Sequence, residues 1–206
     1  MPKPILETVR QALEANDRDL KIRSAINQAW ADVQSKIPDI AWFRRASTVR
    51  GLMWEYSVDR VMGVVNDDPQ LVSVRHYDTA SFIADDQVLF RLKKADTKLF
   101  SSNYPTPLAG LFHRHSKADL FGHEGHQRVE IVHTFNRFFT AIDWIGVVAR
   151  EGKKLIWDFE LRRGGEGAEI LTFPSAPFSP AGPTVVKPNL PETGRPEPGR
   201  ENEAKE

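Results

Sequence analysis

The chain has 206 residues, 40% hydrophobic and 27% charged, which is enough to build one sizeable core. Its 28 Lys and Arg residues balance its 28 Asp and Glu residues, so the sequence excludes a global basic field that would attract nucleic acid or an anionic membrane. Because the chain contains no cysteine, disulfides, thiolate metal sites, iron–sulfur clusters and cysteine nucleophiles are also excluded.

The N-terminal segment, MPKPILETVRQALEANDR, carries charges every few residues, where a secretory signal would need an uninterrupted apolar core. No window of the sequence approaches the length of a membrane span. We therefore expect a cytoplasmic protein without a membrane partner.

Apolar residues recur at helical spacing through residues 5–66 and predict three helices. The second has the clearest apolar stripe, which runs from Ile22 to Ile37 and stops before Pro38. The third is ended by Asn66-Asp67-Asp68-Pro69. The three helices are expected over residues 5–15, 21–37 and 46–65.

Residues 71–173 are predicted to be mainly β, because the apolar period changes from 3.6 towards 2 after Pro69. Val88, Phe90 and Leu92 alternate with Leu89, Arg91 and Lys93, the pattern of a strand with one wet face, and Asp85-Asp86 precede this strand in a turn. Three more strands are expected over residues 128–138, 140–150 and 155–161. Since no helix-length crossover separates these three, they predict an antiparallel meander of three or four strands.

The fold class is therefore expected to be α+β, with N-terminal helices packed on a C-terminal antiparallel β meander. The single domain would occupy residues 1–173. Residues 174–206 hold 8 of the 14 prolines and almost no branched apolar or aromatic side chains, which predicts a disordered, proline-rich tail. A P-x-x-P spacing from Pro177 to Pro180 would suit a non-catalytic interaction protein that docks on an aromatic groove.

Residues 94–127 form a long connection, and five of the six histidines lie between positions 113 and 133. Imidazole and carboxylate groups that converge on one point bind divalent metals, so a metal-dependent hydrolase is one hypothesis. The histidines lack the H-E-x-x-H spacing of a zincin, and a solvated polar loop is the alternative. No cofactor other than a divalent metal is expected. The candidate ligands are His113, His115, Asp119, His123 and His126.

A basic and aromatic patch surrounds the start of the third helix. Such a patch either contacts phosphates and stacks a base, or is a solvated helix face whose aromatic residues seal the helix against the sheet. Its residues are Trp42, Phe43, Arg44, Arg45 and Arg50.

Three segments, SFIADDQVLFRLKKAD, SSNYPTPLAGLF and RVEIVHTFNRFFTAIDWIGVVAREGKKLIWDFEL, give the chain a family resemblance. Over about half its length it resembles uncharacterised bacterial proteins encoded beside helix-turn-helix regulators with metallopeptidase-like domains in toxin–antitoxin or phage-defence operons. The resemblance implies a toxin-like effector with a cognate regulator as its protein partner, and it brings no catalytic residue. The matching positions are Arg91, Lys93, Lys94, Ser102, Asn103, Pro105 and Thr106.

The residues themselves are compatible with a binding role. Arg91, Lys93 and Lys94 would present a basic strand edge beside a stiff polar loop containing Ser102, Asn103 and Thr106. Such a surface could bind an anionic ligand, nucleic acid or a protein partner. The alternative is an edge strand that lysines protect from aggregation. The sequence leaves open whether the protein is an enzyme.

Overall fold

The computed structural model describes residues 3–37, 46–76, 79–101, 107–115 and 125–164. The chain divides into two units, Met1–Ala168 and Glu169–Glu206, and every described residue belongs to the first. The proline-rich tail lies outside the described residues, and its disorder stays a prediction.

Three helices come first, as predicted. They are α1 (Leu6–Glu14), α2 (Arg18–Lys36) and α3 (Ala46–Asn66), and a 3-10 turn, Ala15–Asp17, joins the first two. Helix α2 begins three residues before its predicted start, since its first turn is buried through Arg18 and Asp19, polar residues that an apolar stripe does not include. In the ranges that the structure describes, no helix has both the length and the apolar character needed to cross a membrane.

Six strands follow these helices and form one sheet, in the order β1-β2-β3-β4-β5-β6. All neighbouring strands are antiparallel except β3 and β4. Helices followed by a mostly antiparallel sheet confirm the predicted α+β class. The strands are β1 (Leu71–His76), β2 (Thr79–Ala84), β3 (Val88–Lys94), β4 (Gln127–Phe135), β5 (Ile142–Glu151) and β6 (Lys154–Glu160).

The predicted antiparallel meander is confirmed for β4, β5 and β6, but these strands belong to a sheet of six strands and not of three or four. Strands β3 and β4 run parallel, in a register that pairs Val88 with Gln127 and Lys94 with His133. A parallel pair needs a crossover connection, and residues 95–126 supply it. This connection contains a helix, α4 (Pro107–Arg114), in a stretch that the sequence presents as a loop. At eight residues, α4 is too short to show clear helical periodicity.

The sheet packs on both of its faces. On the near face, Phe90, Ile131 and Val147 join a core with α1, α2 and α3, and this core includes Leu13, Ile22, Ile26, Met53 and Val61. The far face carries the alternate residues of the same strands. There, Phe112 of α4 packs against Ile83 and Leu89, while Ala95 packs against Val132 and Val148. The predicted wet face of β3 is therefore covered, and Arg91 is only 6% exposed.

The position of β3 also overturns the predicted basic edge. Because β3 lies third in the order of six, it has a strand on either side. Its basic side chains project from the faces of the sheet, and their role is not the protection of an edge against aggregation.

Candidate functional site

Strands β2 and β3 diverge at one end and open a recess between them. Their described pairing comprises Phe82 with Phe90, Ile83 with Leu89 and Ala84 with Val88, whereas β3 and β4 pair along seven positions. The space beyond the last β2–β3 pair has a volume of about 240 Å³. Six residues line this recess: Trp54, Thr79, Ala80, Arg91, Leu92 and Lys93. It is therefore part apolar and part cationic.

Arg91 is the buried cation of the recess. Its Nε donates to Ser81 Oγ over 3.0 Å, and its guanidinium carbon lies 4.3 Å from the centroid of the Phe112 ring. Among the described residues its Nη2 atom has no hydrogen-bond partner. Burial lowers the pKa of Arg91 to about 10, with Glu130 opposing this shift. The side chain therefore stays protonated at neutral pH and has donor capacity to spare.

Lys93 places a second cation beside Arg91 on the far face. Burial lowers the pKa of Lys93, attraction to Glu130 raises it, and repulsion from Arg91 and Arg150 lowers it further. Two like charges that lower the pKa of a partly buried lysine indicate a local excess of positive charge. An anion bound in the recess would reduce this repulsion between the cations.

Behind the recess, a buried polar network holds α4 and its connection against the sheet. Glu130 Oε2 accepts from Arg150 Nη2 over 2.6 Å and from Ser101 Oγ over 2.8 Å. Glu130 is 2% exposed and Arg150 5%. His113 Nε2 lies 3.3 Å from Arg150 Nη2, and Arg128 Nη1 donates to the carbonyl oxygen of Leu111 over 3.0 Å. Three arginines and a lysine thus share one covered face with a single buried carboxylate, in the part of the sheet that the structure describes.

The structure brings together some of the predicted binding residues and separates others. Arg91 and Lys93 line the recess, but strand alternation puts Lys94 on the near face, where its Nζ lies 4.8 Å from the centroid of the Phe139 ring. Burial lowers the pKa of Lys94, and Arg50 adds to this shift. The loop residues of the same prediction, Ser102, Asn103 and Thr106, lie outside the described residues, as do Trp42, Phe43, Arg44 and Arg45.

Of the described histidines of the predicted metal site, His113 and His115 both contact Arg150, whereas His126 lies beside Asp86. His115 Nε2 lies 2.7 Å from the carbonyl oxygen of Arg150, and His126 Nε2 lies 3.2 Å from Asp86 Oδ1. Burial lowers the pKa of His113 to about 4 and also lowers that of His115, so both imidazoles are neutral at pH 7. No three His, Asp or Glu side chains within the described ranges are grouped as a metal site would need. Because Asp119 and His123 lie outside these ranges, the metal site stays a prediction.

The residues of the site that the sequence does not identify come from four different elements. Trp54 is on α3, Ser81 is on β2, and Glu130 and Arg150 are on β4 and β5. The charged residues alternate with apolar ones in β4 and β5, which on a single strand indicates a solvated face. The pattern of one strand therefore does not distinguish these buried charges from solvated ones, because cross-strand pairs of opposite charge also occur on exposed faces.

No family model matches the chain, and neither a curated protein sequence nor a solved structure does. The resemblance to proteins of toxin–antitoxin and phage-defence operons therefore stays a prediction.

Proposed function

We propose that the protein is a binding component whose recess holds the phosphate group of an anionic ligand. The observation that carries this proposal is the cationic lining of the recess by Arg91, whose buried Nη2 atom has no hydrogen-bond partner among the described residues. Lys93 lies beside it. A phosphate oxygen would accept a charge-assisted hydrogen bond from Arg91 while its charge is neutralised by both cations.

The energetic argument concerns the buried charge of Arg91. A buried donor without an acceptor costs about 1–3 kcal/mol, and buried charges in proteins are normally paired. Ser81 and Phe112 contact other parts of the Arg91 side chain without neutralising its charge. Glu130 attracts Arg91 and raises its pKa, but this carboxylate is shared with Arg150. Trp54 and Leu92 give the recess an apolar wall, which would suit a ligand with an apolar or planar group beside its phosphate.

Phosphate binding is tested by thermal unfolding of the protein with and without inorganic phosphate. A ligand that binds only the folded state stabilises it by about 2.7 kcal/mol at a hundredfold excess over Kd. We expect phosphate to raise the melting temperature of the wild-type protein. The Arg91→Met and Lys93→Met variants should show only a small part of this increase. Lys98→Met, a change at an exposed lysine outside the recess, should respond like the wild type.

Two variants are used because Arg91→Met removes a buried side chain and can fail to fold, whereas Lys93 is only partly buried. If phosphate stabilises wild type and Lys93→Met to the same extent, the recess does not hold phosphate. The same conclusion follows if sodium chloride of equal ionic strength reproduces the wild-type shift.

The effector role in a toxin–antitoxin or phage-defence module is the wider part of the proposal, and the family resemblance supports it. On this proposal the protein acts in the cytoplasm and has its cognate regulator as partner. Expression of the protein alone is expected to arrest bacterial growth, and co-expression of the neighbouring regulator to relieve the arrest. Lys93→Met should abolish the arrest at an unchanged protein level, while normal growth with the soluble wild-type protein would contradict the effector role.

A further inference from the structure

A band of aromatic and basic side chains leads away from the recess towards the β4–β5 turn. Trp54 lines the recess, and Arg50 lies one helical turn before it on α3. Arg50 is close enough to Lys94 to add to the lowering of its pKa by burial, and Lys94 Nζ lies over the ring of Phe139. Trp54, Arg50, Lys94, Phe139 and Phe138 form what we call the basic–aromatic strip.

The β4–β5 turn exposes two large aromatic rings. Phe138 is 77% exposed and Phe139 42%, although most large apolar side chains of the described chain are buried. The turn is well defined, since Asn136 Oδ1 accepts from the Thr140 amide over 2.9 Å and Asn136 Nδ2 donates to Thr140 Oγ1 over 2.7 Å. Phe139 adopts a left-handed conformation, with a φ of 56°, that is costly for an aromatic residue. Both rings therefore leave much of their surface in contact with solvent instead of burying it in the core.

The charge of the strip is positive, although the whole chain has no net charge. Arg50 and Lys94 belong to the strip, Arg91 and Lys93 lie in the adjoining recess, and exposed Arg137 precedes Phe138. Two carboxylates act on these cations. Asp96 attracts Lys94 and raises its pKa, and Glu130 is buried in an ion pair with Arg150. The partner that fits is therefore an anion long enough to reach from the recess to the turn.

We infer that the strip binds single-stranded nucleic acid, with a backbone phosphate in the recess and unpaired bases stacked on Phe138 and Trp54. This inference rests on the proposed function, because it takes the recess as the phosphate site. Bases stack on aromatic side chains, and cations beside the rings neutralise the backbone. A duplex hides its base faces, so exposed rings select single strands.

The test is fluorescence anisotropy of a labelled short oligouridylate with the full-length protein. We expect Phe138→Ala to weaken binding by at least about fivefold, the lower end of one stacking interaction. Val72→Ala is the matched control, because Val72 is 51% exposed on β1. Lys94→Gln should weaken binding and reduce the slope of log K against log salt by about 0.7, the value for one phosphate contact on a single strand.

Unlabelled polyphosphate and vesicles of phosphatidylserine serve as competitors. Polyphosphate has charge but no bases, so its binding should be insensitive to Phe138→Ala, and equal sensitivity would overturn the stacking role. Binding to the vesicles that requires Phe138, without binding to the oligouridylate, would assign the strip to a membrane surface and overturn the inference. If phosphate stabilises the protein through Arg91 and Lys93 but no oligouridylate binds, the strip inference fails and the recess proposal stands.

Discussion

Replacing Glu130 with glutamine is expected to lower the free energy of unfolding by about 3–5 kcal/mol, the usual cost of removing one partner from a buried ion pair. Glu130 is 2% exposed and 2.6 Å from Arg150 Nη2. It is the only buried carboxylate on the strands that the structure describes, and Arg91, Arg128 and Lys93 share its environment. Glutamine keeps the size of the side chain and one of its oxygens, so the loss of unfolding free energy would report the contribution of the negative charge.

The same variant should become unusually dependent on phosphate. Glu130 raises the pKa of both Arg91 and Lys93, so it attracts the cations that would hold a phosphate. Without its charge, the excess of positive charge grows, and a bound anion stabilises the fold more. Urea unfolding with and without phosphate measures this, and we expect phosphate to stabilise Glu130→Gln more than the wild type.

Asp158→Asn is the matched control for Glu130→Gln, because it also removes a strand carboxylate, but at an exposed position on β6. Its stability and its response to phosphate should remain close to those of the wild type. A Glu130→Gln protein as stable as the wild type would mean that the arginines of the far face are neutralised without this carboxylate.

The sequence is informative about the elements because their signals are local. The stripe from Ile22 to Ile37 is read from one helix alone, and the alternation around Phe90 is read from one strand. Strands β1 and β2 are expected only as part of a β region, since LVSVRH and TASFIA are short and carry weak turn signals. The parallel β3–β4 pair does not follow from the sequence, because it depends on a crossover that contains the short helix α4.

The site is less predictable than the fold, because it is made by long-range packing. The pattern of one strand identifies Arg91 and Lys93, but the recess exists only where β2 diverges from β3 beside Trp54. Sequence proximity groups Lys94 with them, although alternation puts it on the opposite face. The buried state of Arg91 depends on α4, which covers the face through Phe112.

The acid stability of the fold combines two kinds of group with different pH windows. Burial lowers the pKa of His133 to about 3 and that of His113 to about 4, both from 6.5. Each histidine binds a proton more readily in the unfolded chain, so it reduces stability as the pH falls below 6.5, until the pH reaches its folded pKa. His133 lies on the near face of the sheet and His113 lies beside Arg150 on the far face, so neither belongs to the connection between the helices and the sheet.

That connection depends on a second buried ion pair, for which a different pH window is expected. Arg18 Nε donates to Asp68 Oδ2 over 2.7 Å, while Arg18 Nη1 donates to Asp85 Oδ2 and to the carbonyl oxygen of Ala12, each over 2.7 Å. Arg18 is 1% exposed and Asp68 3%. One guanidinium thus joins α1, the α3–β1 connection and the β2–β3 turn.

Asp68→Asn is therefore expected to lower the free energy of unfolding by about 3 kcal/mol at neutral pH, because Arg18 keeps only Asp85 as an ionic partner. Asp67→Asn is the matched control at the neighbouring, exposed carboxylate. The hydrogen bond from Arg18 lowers the pKa of Asp68 from 3.8 to about 2. A carboxyl with a lowered folded pKa stabilises above its unfolded pKa, and this contribution disappears as the pH falls from 3.8 through 2. Urea unfolding of both variants and the wild type from neutral pH to about pH 2 measures this. The difference in free energy of unfolding between Asp68→Asn and the wild type should be constant above about pH 5 and should shrink towards about pH 2. A difference that persists at about pH 2 would assign the loss to packing and not to the ion pair.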